Sequence, residues 1–412
     1  MKTKAVRIYG KSDLRLEEFT LPPVGDDEIL ASVISDCICM SSYKAAIQGS
    51  DHKRIPNDVA INPTMLGHEF SGELIEVGKK WQNEFKVGQK YAIQPALNYK
   101  GSLDAPGYSY RYIGGNATYI VIPNEVMEQG CLLPYDGDAY FYASLAEPMS
   151  CVVGAFHANY HTTSGSYEHD MGIVSGGNMA ILAGAGPMGL GAIDYIIHRE
   201  RKPGLLVVTD IDDDKLNRAA EVLTVEEAAR NGVKLIYINT SSSGELLALT
   251  DGRGYDDVFV YAPVAPVIEL GDRILGKDGC LNFFAGPTDP SFTAAFNFYN
   301  VHYASTHIVG TSGGNTSDML ESLSMMEQGL INPAAMITHI GGLDSAINAT
   351  LNLPKIPGGK KLIYSHISMP LTAIEDFANT NDPICQELAE IVKRNNGLWC
   401  VEAERYLLSE KR

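Results

Sequence analysis

Three glycines spaced GxGxxG, at Gly184, Gly186 and Gly189, follow directly on the apolar run Asn178-Met-Ala-Ile-Leu-Ala and constrain this chain more than any other feature. Gly184 permits the tight turn from strand to helix, Gly186 lets backbone approach a pyrophosphate, and Gly189 lets the helix pack closely on the strand. The helix opening with Pro187 and Met188 offers the unpaired N–H groups of its first turn to an anion. The next apolar run, Leu205-Leu-Val-Val-Thr-Asp210, ends in an acid about 20 residues after the last glycine, where a carboxylate accepts the adenosine ribose hydroxyls. Together these features predict a dinucleotide site. Asp210 repels a 2′-phosphate and so favours NAD over NADP, although Lys215 and Arg218 stand close enough in sequence to soften that preference.

The rhythm around this motif is that of βαβ units. Apolar strands at Met179–Ala183, Leu205–Thr209, Lys234–Ile238, Asp257–Tyr261 and Cys280–Phe284 alternate with helical stretches, which predicts a doubly wound parallel sheet in an α/β fold. Before about Gly154 the pattern differs. Short β-branched segments at Ile29–Ser35, His68–Val77, Lys90–Gln94 and Thr118–Ile122, punctuated by Gly, Pro, Asn and Asp, predict an irregular β-rich domain. A helical stretch at Ser317–Gln328, a strand at Lys360–His366 and a helical tail over Pro370–Asn395 complete the chain. The expected domains are 1–153 (β-rich, catalytic), 154–316 (dinucleotide-binding) and 317–412 (return to the first domain plus the tail). A length of 412 residues suits two or three domains.

Composition narrows the function classes. Lys and Arg number 32 against 50 Asp and Glu, a net charge of −18 that repels polyphosphate backbones and anionic membranes. Neither nucleic acid nor a membrane is expected as a partner, and an anionic substrate needs a local basic pocket. The apolar window Asn178–Ile197 is interrupted by Pro187, Asp194 and glycines, and the N-terminal residues lack the apolar run of a signal peptide, so a cytoplasmic enzyme is expected. Seven scattered cysteines do not form a disulfide framework.

Cys39, Gly67-His68-Glu69 and Glu147-Pro148 supply a thiolate, an imidazole and carboxylates, the donors of a catalytic zinc that keeps one position open. Singly, each has a plainer reading: a small buried thiol, a core histidine, a solvated or capping acid. In this order, ahead of the nucleotide motif, they are far more specific.

With Lys86-Val-Gly-Gln-Lys90, Gly115-Asn-Ala-Thr-Tyr119 and Ile337-Thr-His339 added, the chain resembles the zinc-dependent medium-chain dehydrogenases of the sorbitol dehydrogenase type over nearly all of residues 1–366. That resemblance implies a GroES-like catalytic domain, a Rossmann domain, a homodimer or homotetramer formed through the strand near Ile308, and one catalytic zinc held by Cys39, His68 and either Glu69 or Glu147. It implies Ser41 as first acceptor of a proton path, and Lys44 as proton relay, cofactor contact or substrate anchor. The subgroup it most resembles interconverts a ketose phosphate and a hexitol phosphate, L-sorbose 1-phosphate and D-glucitol 6-phosphate. Free polyols or other hexitol phosphates are the alternative, and a zinc-free quinone-reductase relative or non-catalytic nucleotide-binding protein is a remote one. Two departures stand out. The lobe Pro95–Gly114, where many relatives carry four cysteines for a structural zinc, has none, and Met40-Ser41-Ser42 lacks the acid that orients the ligand histidine in relatives. The second departure removes a support on which metal affinity depends.

Overall fold

The computed structural model describes residues 1–163 and 165–411 and divides the chain into two compact units, Met1–Pro148 with the segment from Asn315 onward, and Met149–Gly314. In the second unit six parallel strands lie in the order Lys234–Ile238, Leu205–Thr209, Asn178–Leu182, Tyr255–Val260, Leu275–Phe283, His307–Val309. Counted along the chain this is 3-2-1-4-5-6, the Rossmann order. Leu205–Thr209 is buried along its whole length, as a strand covered on both faces must be, which is why it reads as continuous apolar sequence. The order reverses beside Asn178–Leu182, and the glycine turn leaves that strand at its C-terminal end.

The first unit is built on an eight-stranded sheet whose centre is Ile29–Ile38, buried at every position. Its antiparallel neighbours are Phe70–Val77, Tyr119–Ile122 and Lys360–Tyr364. Lys90–Ile93 and Leu132–Pro134 extend one side, and Ile337–Gly342 with Thr372–Ala373 the other. A three-stranded sheet of Asp13–Thr20, Lys2–Gly10 and Thr64–Met65, not anticipated from sequence, accompanies it.

The C-terminal extension consists of two α-helices, Pro383–Arg394 and Val401–Lys411. The expected helical tail from Pro370 differs at its start: Thr372–Ala373 pairs with Ile337–Gly342, and a 3₁₀ turn at Ile374–Asn379 follows. Asp382 caps the first helix, Pro383 occupies its first turn, and Cys385, Leu388, Ile391 and Val392 form its buried stripe. Its partner helix places Glu404 in the interior, where the carboxylate accepts hydrogen bonds from the backbone N–H groups of Tyr140 (2.7 Å) and Phe141 (3.0 Å) and from the Tyr364 hydroxyl (2.9 Å). Trp399, fully buried, donates its indole N–H to the same tyrosine oxygen at 2.8 Å. Among the described residues no helix is long and apolar enough to cross a membrane, and all seven cysteines are free thiols.

Burial pushes the Glu404 carboxyl up to about 7, against the pull of its three donors, from 4.5 for a free glutamate. Between those values the folded chain holds a proton that the unfolded chain releases. The group's stabilisation is therefore complete below about pH 4.5 and is lost as pH rises through 7, a change of about 3 kcal/mol. Glu404→Gln cannot titrate, so the melting temperature of the wild type relative to this variant should be higher at pH 5 than at pH 8. An offset independent of pH contradicts the assignment.

Candidate active site

The register of the central sheet assembles the site. Asp36 pairs with Phe70, and Cys37 donates its backbone N–H to the Glu69 carbonyl at 2.9 Å, which brings His68 and Glu69 to the end of strand Ile29–Ile38. On the other side Ile38 pairs with Lys361, so Lys360 stands opposite Cys39. Gly67 turns the chain into His68 with φ of +95°, and a side chain there would meet the Asn116 nitrogen and the Asp36 carboxylate at 2.7 Å.

Cys39 ends the strand and caps helix Met40–Gln48, its sulfur accepting the Ser41 backbone N–H at 3.3 Å. That sulfur lies 3.3 Å from His68 Nε2, and donor atoms of Cys39, His68 and Glu69 all fall within 4.8 Å of one another. The His68 Nδ1 atom meets the Ser42 hydroxyl at 3.2 Å, so a neutral hydroxyl stands in the orienting place where an acid was noted as missing. Tyr108, buried in the cysteine-free lobe, brings its hydroxyl to 3.2 Å from His68 Nε2. Glu69 is gripped by Lys360, whose Nζ lies 2.5 and 2.6 Å from its two oxygens.

Burial, with Glu69 adding to it, pushes the Cys39 thiol up to about 12, and burial holds His68 below the usual imidazole range. Burial pulls the Lys360 ammonium down, but Glu69 and the nearby thiols outweigh it and leave the ammonium above its ordinary value. Glu147, in the first turn of helix Ala146–Ala158, lies outside the three-donor cluster, yet its charge acts on both Cys39 and His68, and burial raises its own carboxyl. A thiol, an imidazole and a carboxylate converging in a buried pocket fit zinc, which would bind the thiol as thiolate. Ser41 is exposed in the first helical turn. Lys44 is half-buried further along the same helix, where its charge is felt at His52.

In the dinucleotide-binding unit, Pro187 and Met188 open helix Pro187–His198, with Gly186 as its cap. A side chain at Gly189 would lie 2.0 Å from the Gly184 carbonyl oxygen, whereas Gly186 faces open space. The Asp210 carboxylate accepts the N–H groups of Ala185 (3.2 Å), Ile211 (2.9 Å) and Asp212 (3.2 Å) beside this turn. The Lys215 ammonium lies 3.4 Å from the Asp212 carboxylate.

Sequence reasoning did not find Lys360 or Tyr108, and it left Ser42 without a role. Ser42 alone carried a signal, since it occupies the position at which relatives place an acid.

Residues 25–130 match the alcohol dehydrogenase GroES-like domain family. The chain belongs to the zinc-type medium-chain dehydrogenases/reductases, a family of alcohol and polyol dehydrogenases. It is 54% identical over 413 residues to the mannitol-1-phosphate 5-dehydrogenase of Aliivibrio fischeri, covering 99% of this chain and 97% of the relative. It is 52% identical over 407 residues to the L-sorbose 1-phosphate reductase of Klebsiella pneumoniae, again covering 99% and 97%. The crystal structure of 2R,3R-butanediol dehydrogenase from Bacillus subtilis shares the fold with a TM-score of 0.70 at 21% identity, over 88% of this chain and 99% of that one.

The geometry generates a test of the metal centre. Elemental analysis should find one zinc per chain, since the lobe at 95–114 offers no thiolates for a second, and Cys39→Ser should lose the metal while NAD(H) binding persists. Ser42→Ala should weaken zinc by roughly 10- to 100-fold in competition with a chelator. Two metals per chain, or unchanged affinity in the serine variant, contradicts this reading.

Proposed function

We propose that this chain is an NAD(H)-linked oxidoreductase interconverting a ketose phosphate and a hexitol phosphate, with L-sorbose 1-phosphate and D-glucitol 6-phosphate as the leading pair. The observation that carries the phosphorylated substrate class is the near-equal identity to two relatives whose names share a six-carbon polyol or ketose phosphate. Their names differ in the sugar, and the likeness to a mannitol-1-phosphate 5-dehydrogenase makes mannitol 1-phosphate the second candidate.

Cys39, His68 and a glutamate would hold zinc, which would supply Lewis-acid polarisation of a ketone, and bound nicotinamide would supply the hydride. The residues of the chain prepare and serve that chemistry. Ser42 fixes the direction of the His68 ring through Nδ1, and Cys39 is held by the Ser41 N–H. Lys360 neutralises Glu69 at both oxygens, which favours Glu147 as the second carboxylate acting at the centre. The exposed Ser41 hydroxyl is suited to pass a proton between the substrate oxygen and water, with Lys44 further along the same helix as relay or anchor. A dimer or tetramer through the edge strand His307–Val309 remains part of this proposal.

For the nucleotide, Asp210 would accept the ribose hydroxyls and oppose a 2′-phosphate, while Lys215 is drawn to Asp212. The ratio of kcat/KM for NAD(H) over NADP(H) should exceed one and fall in Asp210→Ser. A tenfold preference of the wild type for NADPH overturns the assignment. The substrate class is tested by NADH oxidation with L-sorbose 1-phosphate, D-fructose 6-phosphate and free L-sorbose. A phosphorylated ketose should be preferred by tenfold or more, and equal turnover of free and phosphorylated sugars returns the enzyme to the free-polyol class.

A further inference from the structure

In a chain of net charge −18, cations close to the metal-facing histidine and lacking an acidic partner call for an explanation. The turn after helix Met40–Gln48 supplies them. Arg54 is half-buried, with its guanidinium carbon 5.6 Å from the centre of the Tyr108 ring. The same ring neighbours His68, at 4.7 Å between ring centres. The guanidinium and the imidazole of the metal cluster therefore share one aromatic neighbour, and the charge of the first is felt at the second. Among the described residues no carboxylate lies within ion-pair distance of Arg54 or of its exposed neighbour Lys53, and the nearby Asp51 pairs with Lys11 at 2.5 Å.

The turn is anchored rather than loose. The Ser109 hydroxyl donates to the Arg54 carbonyl at 2.7 Å, His52 stacks on Tyr108 at 5.7 Å with planes 10° apart, and the Arg54 backbone N–H donates to His52 Nδ1 at 3.3 Å. That last bond makes Nδ1 an acceptor and leaves Nε2 to carry the proton of a neutral ring. Burial, then the charges of Arg54, Lys53, His68 and Lys44, hold His52 down to about 4, so three cations crowd one uncharged imidazole. The charge of Arg54 is also felt at His68, Tyr108 and Glu147.

We propose that Arg54, flanked by Lys53 and the His52 N–H, is the subsite that recognises the phosphate group of the substrate. The inference rests on the phosphorylated-ketose reading above and gives the phosphate contact to Arg54, leaving Lys44 as relay or as anchor for another part of the substrate. A guanidinium offers a planar pair of donors that matches two phosphate oxygens, and stacking on Tyr108 orients it before the ligand arrives. The competing role, in which Arg54 only balances the charge of Glu147, predicts equal effects on free and phosphorylated substrates.

The test uses the zinc-loaded full chain as wild type, Arg54→Gln, Arg54→Lys and Lys44→Ala. The ratio of kcat/KM for L-sorbose 1-phosphate over L-sorbose should fall about 10- to 100-fold in Arg54→Gln, mostly through KM, with partial recovery in Arg54→Lys. Calorimetric titration with inorganic phosphate should weaken in the same order, at unchanged zinc content and melting temperature. A ratio that survives in Arg54→Gln but collapses in Lys44→Ala overturns this assignment and leaves the substrate class intact. Parallel losses on both sugars also overturn it. A wild type that does not distinguish the two sugars removes the substrate class and the subsite together.

Discussion

Glu69 and Lys360 stand 291 positions apart in the chain and meet in the interior through contacts of 2.5 and 2.6 Å, with side chains only 2% and 7% exposed. Desolvating both charges is expensive, so a pair like this adds little net stability over an apolar substitute, yet removing one partner alone typically costs 3–5 kcal/mol. Its value is positional. The ion pair can form only if strand Ile29–Ile38 pairs in register with Phe70–Val77 on one side and Lys360–Tyr364 on the other. A slip of one residue on either side would turn Lys360 or Glu69 to the wrong face and scatter the Cys39, His68 and Glu69 donors. The same alternation explains the neighbouring lysine: Lys361 points to the opposite face, where its ammonium donates to the Pro357 and Gly359 carbonyls at 2.8 and 2.7 Å, and burial pulls it down to about 8.

What could be read from the sequence follows from the range of the interactions involved. The glycine motif was legible because its sterics act within a dozen residues: Gly189 must be bare because the Gly184 carbonyl lies against it. The parallel strands were legible because burial on both faces leaves an unbroken apolar run, as at Leu205–Thr209. Cys39, His68 and Glu69 were legible by type and order, and geometry brought them together. The partners that tune them were not. Lys360 acts on Glu69 only through strand register, Tyr108 arrives from a lobe with no sequence signature, and Glu404 bonds to Tyr140 and Phe141 over more than 260 positions. No local periodicity encodes such pairings. Helix Met40–Gln48 carried no start signal for a related reason: its cap is the thiol of Cys39, which is not among the usual capping residues.

The cysteine-free lobe is held by apolar and aromatic packing. Leu97, Ala105, Tyr108 and Ile113 are all buried, joining two separate apolar clusters of the catalytic unit. Tyr108 carries most of this arrangement, because it fills the interior, stacks under His52 and reaches His68. One side chain thus links the packing of the lobe to the environment of His68, which Ser42 and Cys39 also contact.

The C-terminal extension enters the same logic from the other end of the chain. The short helix Tyr140–Ser144 begins after Ala139, which has no side chain able to cap it, so its first N–H groups need acceptors from elsewhere. Glu404 provides them, and Tyr364, the last residue of the strand that begins at Lys360, holds the carboxylate in place with its hydroxyl. Two residues beyond that helix the chain reaches Ala146 and Glu147. The strand that delivers Lys360 to Glu69 therefore also delivers Tyr364 to Glu404, and through Glu404 it fixes the backbone leading to the second glutamate. With Glu404 alone replaced by an apolar side chain, two backbone donors just upstream of Glu147 would be buried unpaired, at a cost of about 1–3 kcal/mol each. The tail is on this reasoning a structural part of the unit that bears the metal site, because no other buried carboxylate among the described residues serves those two N–H groups.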